Sequence, residues 1–146
     1  MFQEHLSNRD PLDHFVYIMS AIDDDWQLVP LVKVGISQHP KKRLKQVRAD
    51  VGHTVVLAAT FPFWKRSHAF IVEQAFHKAC AGCRVKGEWF DMTVADAVGV
   101  MDKNLREFVD CYLNPQETID YYFACDRVAV PGFNQLAEIE TFGYRS

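Results

Sequence analysis

Three groupings in the sequence hold residues able to do chemistry. Glu73 and His77 stand four residues apart, so a helix through them sets a carboxylate beside an imidazole. Lys41, Lys42, Arg43, Lys45 and Arg48 fall within eight positions, and Lys65 with Arg66 follow the next apolar run, a concentration of cations that suits a polyanion. Tyr17 and Lys33 lie in two short apolar runs; if these pair as a hairpin turned near Asp25, Phe15 faces Gly35 and Tyr17 faces Lys33. An ammonium beside a phenol favours the phenolate. Each grouping also has a plainer reading: a surface ion pair, a solvated charged face, and a tyrosine packed on a lysine stem.

The elements that must position these residues follow from the pattern around them. His14-Phe15-Val16-Tyr17-Ile18-Met19 and Leu31-Val32-Lys33-Val34-Gly35-Ile36-Ser37 are β-branched and aromatic, and Asp23-Asp24-Asp25 between them is a turn signal, which gives a hairpin over about 14–36. Ser37 or Gln38 caps a helix with Pro40 in its first turn and with Leu44 and Val47 turned inward. Val51-Gly52-His53 ends it. Thr54 to Phe61 is a third strand, nearly all apolar and therefore expected at the centre of the sheet, closed by Pro62.

A second helix is expected from about Ser67 to Cys80, with Ala69, Val72, Phe76, Ala79 and Cys80 as its buried stripe and Glu73 and His77 along one edge. Gly87-Glu88-Trp89-Phe90-Asp91 is a short extended piece whose aromatic rings close over the core. Thr93 caps a third helix carrying Ala97, Val98, Met101, Leu105, Phe108 and Tyr112, and Asn114-Pro115 ends it. A small helix and a tail with Pro131-Gly132 complete the chain, without internal repeats.

A chain of 146 residues with 49% hydrophobic and 24% charged residues is expected to form one globular domain without metal or disulfide staples. No membrane span or secretory leader is apparent, so a cytoplasmic protein is expected. Cys80-Ala81-Gly82-Cys83 has half the spacing of a zinc site but no second pair to complete it, and the four cysteines suit free thiols. The net charge of −3 conceals an asymmetry: residues 30–87 hold eleven Lys or Arg against two acids, and residues 88–146 hold four bases against eleven acids. The basic half points to a nucleic acid as partner.

Phe15-Val16-Tyr17, Lys33-Val34-Gly35, Arg43, the Glu-x-x-x-His of Glu73 and His77, and Gly87-Glu88-Trp89-Phe90 occur in an order that resembles the GIY-YIG endonuclease superfamily. The likeness is closest to its small phage and bacterial branch with a Lys-Val-Gly-Ile-Ser second motif, and it covers about residues 14–92. It implies a compact α/β (α+β) domain: a small three-stranded, mostly antiparallel sheet flanked by helices. Residues 1–13 would be a lead-in and 93–146 a C-terminal helical extension packed on the same domain. The resemblance also implies phosphodiester hydrolysis, with Tyr17 activating water, Arg43 clamping phosphate and Glu73 binding one divalent ion. Phe15 stands in place of the first glycine of the family pattern, Lys33 in place of its second tyrosine, and the late asparagine has no clear counterpart.

Such a hydrolysis needs a nucleophile, a counter to phosphoryl charge and stabilisation of the leaving alkoxide. Lys33 would lower the pKa of Tyr17, and His77 would orient water, bond a phosphate or hold Glu73. One carboxylate with waters suits Mg²⁺ or Mn²⁺. Lys41, Lys42, Lys45, Arg48, Lys65 and Arg66 would contact the nucleic acid, expected to be DNA. The reading is a metal-dependent DNA endonuclease. Its alternatives are a catalytically inactive nucleic-acid-binding or regulatory module of the same fold, and a protein-interaction domain whose acidic part covers the basic half.

Overall fold

The computed structural model describes residues 11–52 and 54–127. Residues 1–10 of the lead-in, His53, and the tail with Pro131-Gly132 lie outside the described residues. The strands are β1 (His14–Ile22), β2 (Leu28–Ser37), β3 (Val55–Phe63), β4 (Arg84–Lys86) and β5 (Trp89–Phe90). The helices are α1 (Pro40–Val51), α2 (Arg66–Ala79), α3 (Val94–Tyr112) and α4 (Pro115–Arg127). The sheet therefore has five strands, in the order β3-β1-β2-β5-β4 with every pair antiparallel, and the expected three-stranded sheet is corrected. β4 and β5 are three and two residues long, too short for alternation to declare them, and they exist because they pair beyond β2.

β1, not β3, is the central strand among the three long ones. β3 is an edge strand whose apolar run is explained by cover on both faces. An edge also tolerates proline, so the strand continues through Pro62, opposite Phe15, to Phe63. On one face Tyr17, Met19, Val55 and Leu57 pack under Leu44, Val47 and Val51 of α1. The other face carries the larger core, in which Val16, Ile18, Val32, Val34 and Phe63 meet residues of α2, α3 and α4. α4 is fastened to this core by Tyr121, which donates a hydrogen bond to the Pro62 carbonyl at 2.7 Å and stacks on Phe63.

The hairpin register differs from the expected one by two residues: Tyr17 faces Gly35 and Lys33 faces Met19. At the tip Ile22 pairs with Leu28, as a turn near Asp25 requires, but Ser20 then pairs with Val32, so β2 spends two more residues than β1 over that stretch. Pro30 lies inside the bulge, where its missing N–H removes no ladder bond. The α1 cap differs as well. His39 is the N-cap without a side-chain capping bond, while Ser37 Oγ accepts from the His39 N–H at 2.9 Å just ahead of the helix. Thr93 does cap α3, its Oγ1 accepting from the Asp96 N–H at 3.0 Å.

Candidate active site

The site forms on the outer edge of β2. β5 pairs only with Val32 and Lys33, and from Val34 onward the strand has other partners. The Val34 N–H donates to the Glu88 carbonyl at 3.1 Å, and the Val34 carbonyl faces His77 Nε2 at 2.9 Å. Through this opening α2 brings Glu73 and His77, and the β4–β5 turn brings Glu88. A ligand atom from each of Glu73, His77 and Glu88 lies within 4.8 Å of the others. Gly87, at φ 57°, supplies the left-handed turn residue that sets Glu88 in place.

α2 is turned further into the molecule than its apolar stripe implied. Glu73 is 4% exposed and His77 9%, both buried, whereas Ala79, expected in the stripe, faces solvent. Glu73 Oε1 accepts from Gln74 Nε2 at 2.9 Å, and its Oε2 lies 3.8 Å from His77 Nε2. Among the described residues no lysine or arginine pairs with Glu73. A buried carboxylate left with an amide and an imidazole is costly, and a cation held between it and Glu88 would relieve that cost.

His77 is held at both nitrogens. Arg84 Nη2 approaches Nδ1 at 3.3 Å, and a guanidinium can only donate; the Val34 carbonyl can only accept. These partners select the tautomer with its hydrogen on Nε2, bonded to the strand. His77 therefore closes the β2 edge, and the oxygen donors free to meet a cation are the carboxylates of Glu73 and Glu88. That donor set fits a hard divalent ion such as Mg²⁺ or Mn²⁺. Cys80 and Cys83 are free thiols outside this cluster, with burial pushing the Cys80 thiol up.

Tyr17 is 1% exposed, and its phenol lies over Gly35: a Cβ there would stand 2.5 Å from Tyr17 Oη and 3.0 Å from Glu88 Oε1. Burial raises the pKa of the phenol above its ordinary value; a hydrogen bond from Arg43 opposes the rise, and the charges of Glu88 and Glu73 add to it. The cation on the phenol is thus Arg43 and not Lys33. The same hydrogen bond raises the pKa of Arg43, whose Nη1 also donates to Gln46 Oε1 at 3.1 Å. Lys33 instead donates to Glu88 Oε1 at 3.0 Å and lies 5.8 Å from the centre of the Trp89 ring. It reaches the site only through Glu88, a residue the sequence placed in an aromatic motif without giving it chemistry.

Around this centre α1 presents Lys41, Lys42 and Lys45 to solvent, with Arg48 beside them using its Nε to bond the Val55 carbonyl at 2.7 Å. Lys65 and Arg66 are exposed at the start of α2. The structure therefore gathers Tyr17, Arg43, Glu73 and His77 at one point, adds Glu88, and leaves the remaining cations on the rim.

A protein-family model, the T5orf172 domain, matches residues 14–107, well over half of the chain. The chain belongs to the T5orf172 domain family. Membership is compatible with a nuclease-like, nucleic-acid-associated domain with a GIY-YIG-like fold. The matched T5orf172 segment contains every residue of the site and extends into α3. No curated protein and no solved structure matches the chain. No helix among the described residues is long and apolar enough to cross a membrane.

Proposed function

We propose that this T5orf172 protein is a metal-dependent endonuclease that hydrolyses phosphodiester bonds in DNA, with GIY-YIG-type chemistry. The observation that carries the reading is the meeting of two carboxylates, Glu73 and Glu88, beside the Tyr17 phenol and the Arg43 guanidinium at the foot of a basic helix. Glu73 and Glu88 would hold one Mg²⁺ or Mn²⁺, which supplies charge stabilisation for the phosphoryl and leaving oxygens. Arg43 offers a charged donor to a phosphate oxygen, and Tyr17 holds or receives a proton at Oη. His77 fixes the edge of β2, which carries Gly35 and to which the Glu88 carbonyl is bonded. Residues 14–92 would form the catalytic unit, with residues 93–146 as a helical extension on it.

A second reading draws on the same phenol. Burial and two carboxylates keep Tyr17 protonated, and Phe15 fills a position that the family pattern gives to glycine, which together favour a nucleic-acid-binding module without turnover. One experiment separates the readings: supercoiled and branched DNA incubated with protein and Mg²⁺, Mn²⁺ or chelator, beside Glu73→Gln. Metal-dependent nicking lost in the variant supports the endonuclease. Salt-sensitive binding without nicking supports the module, and neither nicking nor binding defeats both.

A further inference from the structure

Next to Tyr17, on the same face of the sheet, lies a cleft of about 590 Å³ that the reaction above does not use. Phe15, Leu57 and Thr60 form its floor, and His39, Pro40, Lys41 and Lys42 at the start of α1 form its wall. Its size is that of a small-molecule site, and its floor is apolar with few polar groups. Phe15 lines the cleft and is only half-buried, so part of the residue is open to an occupant. A smaller cavity that Arg66 helps to line adjoins the same ring.

The ring and the start of α1 say what that occupant is. The first turn of α1 has no side-chain cap and no acidic residue, and Lys41 and Lys42 stand there with exposed ammonium groups. An uncapped helix start flanked by cations is suited to a phosphate. An aromatic ring and an anion seat in one cleft match the base and the phosphate of a nucleotide.

We propose that this cleft is a subsite for one unpaired nucleotide, with its base on Phe15 and its phosphate at the start of α1 between Lys41 and Lys42. The proposal rests on the endonuclease reading and names its substrate class: a strand opened at or beside the cut. A base inside a duplex has both faces covered, so a ring at the bottom of a concave cleft can stack only on a base that has left the helix. Phe15 and Tyr17 are two residues apart on one strand, about 7 Å, so a nucleotide seated on Phe15 lies next to the Tyr17 centre.

The test compares two duplexes of equal length and charge, one fully paired and one with a single unpaired nucleotide, binding to the full chain in chelator so that nothing is cut. The opened duplex is expected to bind about tenfold more tightly, the scale of one base–aromatic stack. Phe15→Leu should abolish the preference. Affinity for the paired duplex and its salt dependence should stay unchanged in this variant. Equal affinity for the two duplexes, or equal weakening of both by Phe15→Leu, overturns the subsite while leaving the endonuclease reading standing. Salt-insensitive binding to either duplex overturns that reading and the subsite with it. Thymidine monophosphate that binds alone more tightly than the opened duplex overturns the assignment to a strand, in favour of a free nucleotide.

Discussion

Tyr17 and Gly35 face each other across β1 and β2, and the phenol occupies the space that any side chain at position 35 would need. The glycine is required by this close approach and not by its backbone angles. Gly35→Ala would place a methyl group 2.7 Å from Tyr17 Cζ and 2.5 Å from its Oη, and Tyr17 is too enclosed to step aside freely. We expect a loss of about 1–3 kcal/mol in urea unfolding, as for other overpacked sites. In a double-mutant cycle with Tyr17→Ala the penalty should largely disappear. A penalty that persists without the ring would place the strain against Glu88 Oε1, 3.0 Å from the added methyl, or in the backbone.

The contact between Arg43 and Tyr17 sets the second expectation. Arg43 opposes the rise that burial imposes on the phenol, so Arg43→Met should move the Tyr17 pKa further upward, read from the labelled tyrosine ring by NMR. Lys33→Met should leave it nearly in place, since that ammonium is spent on Glu88. If DNA is cut, Arg43→Ala should slow single turnover by about a hundredfold, the scale of losing one donor aimed at developing charge. A changed Kd with an unchanged rate would make Arg43 a binding residue.

The hairpin, the four helices and the Glu73–His77 pair were legible because each rests on a pattern many residues long or on a fixed helical spacing. What failed has short-range causes. The bulge at Pro30 moved Tyr17 from Lys33 to Gly35, and alternation is blind to a shift of two because it leaves every residue on its face. Glu88 escaped because the strands around it are too brief to show a period, although Lys86-Gly87-Glu88-Trp89 does hold a hairpin signal in its glycine. The depth of Glu73 and His77 could not be read from α2 alone. It depends on how the helix rolls against β2, where a bond to the Val34 carbonyl takes the imidazole inward.

Two buried tyrosines predict how stability responds to alkali. Burial raises the pKa of Tyr17 and raises that of Tyr121 strongly. In the unfolded chain both titrate near 10. Their contribution is thus fully present below about pH 10 and is lost as the pH rises through the folded values, because the unfolded state releases its protons first. The unfolding free energy from urea titration should fall above pH 10, by up to about 1.4 kcal/mol per pH unit for each tyrosine. Tyr17→Phe should flatten that slope by one proton, and an unaltered slope would mean that Tyr17 ionises as easily in the fold as outside it.

The exposed cations of α1 predict a salt dependence. Lys41, Lys42 and Lys45 extend into solvent with Arg48 nearby, so three or four phosphates are within reach and the slope of log affinity against log salt should be about −3 to −4 for duplex DNA. Lys45→Gln should reduce the magnitude of the slope by about one, with little effect on any preference for an unpaired nucleotide, since Lys45 does not line the cleft. A slope near zero would remove nucleic acid as the partner.

The Lys33–Glu88 pair predicts how the site meets a metal ion. Lys33 Nζ lies 3.0 Å from Glu88 Oε1, and the Glu88 side chain is 39% exposed, so the pair itself is worth no more than about 1 kcal/mol. A cation held by Glu73 and Glu88 must compete with that ammonium. Lys33→Met keeps an apolar stem beside Trp89 and removes the competitor, so Mn²⁺ affinity, followed by calorimetry or electron spin resonance, should rise severalfold. Glu73→Gln removes a charge and should lower it well below the wild-type value. Glu88→Gln should weaken binding as well, and in that background Lys33→Met should no longer help, because the lysine acts only through the carboxylate it holds. Tighter Mn²⁺ binding in Lys33→Met that persists without Glu88 would mean that the ammonium repels the ion across the site directly. Unchanged Mn²⁺ affinity in Glu88→Gln would leave Glu73 as the single carboxylate ligand.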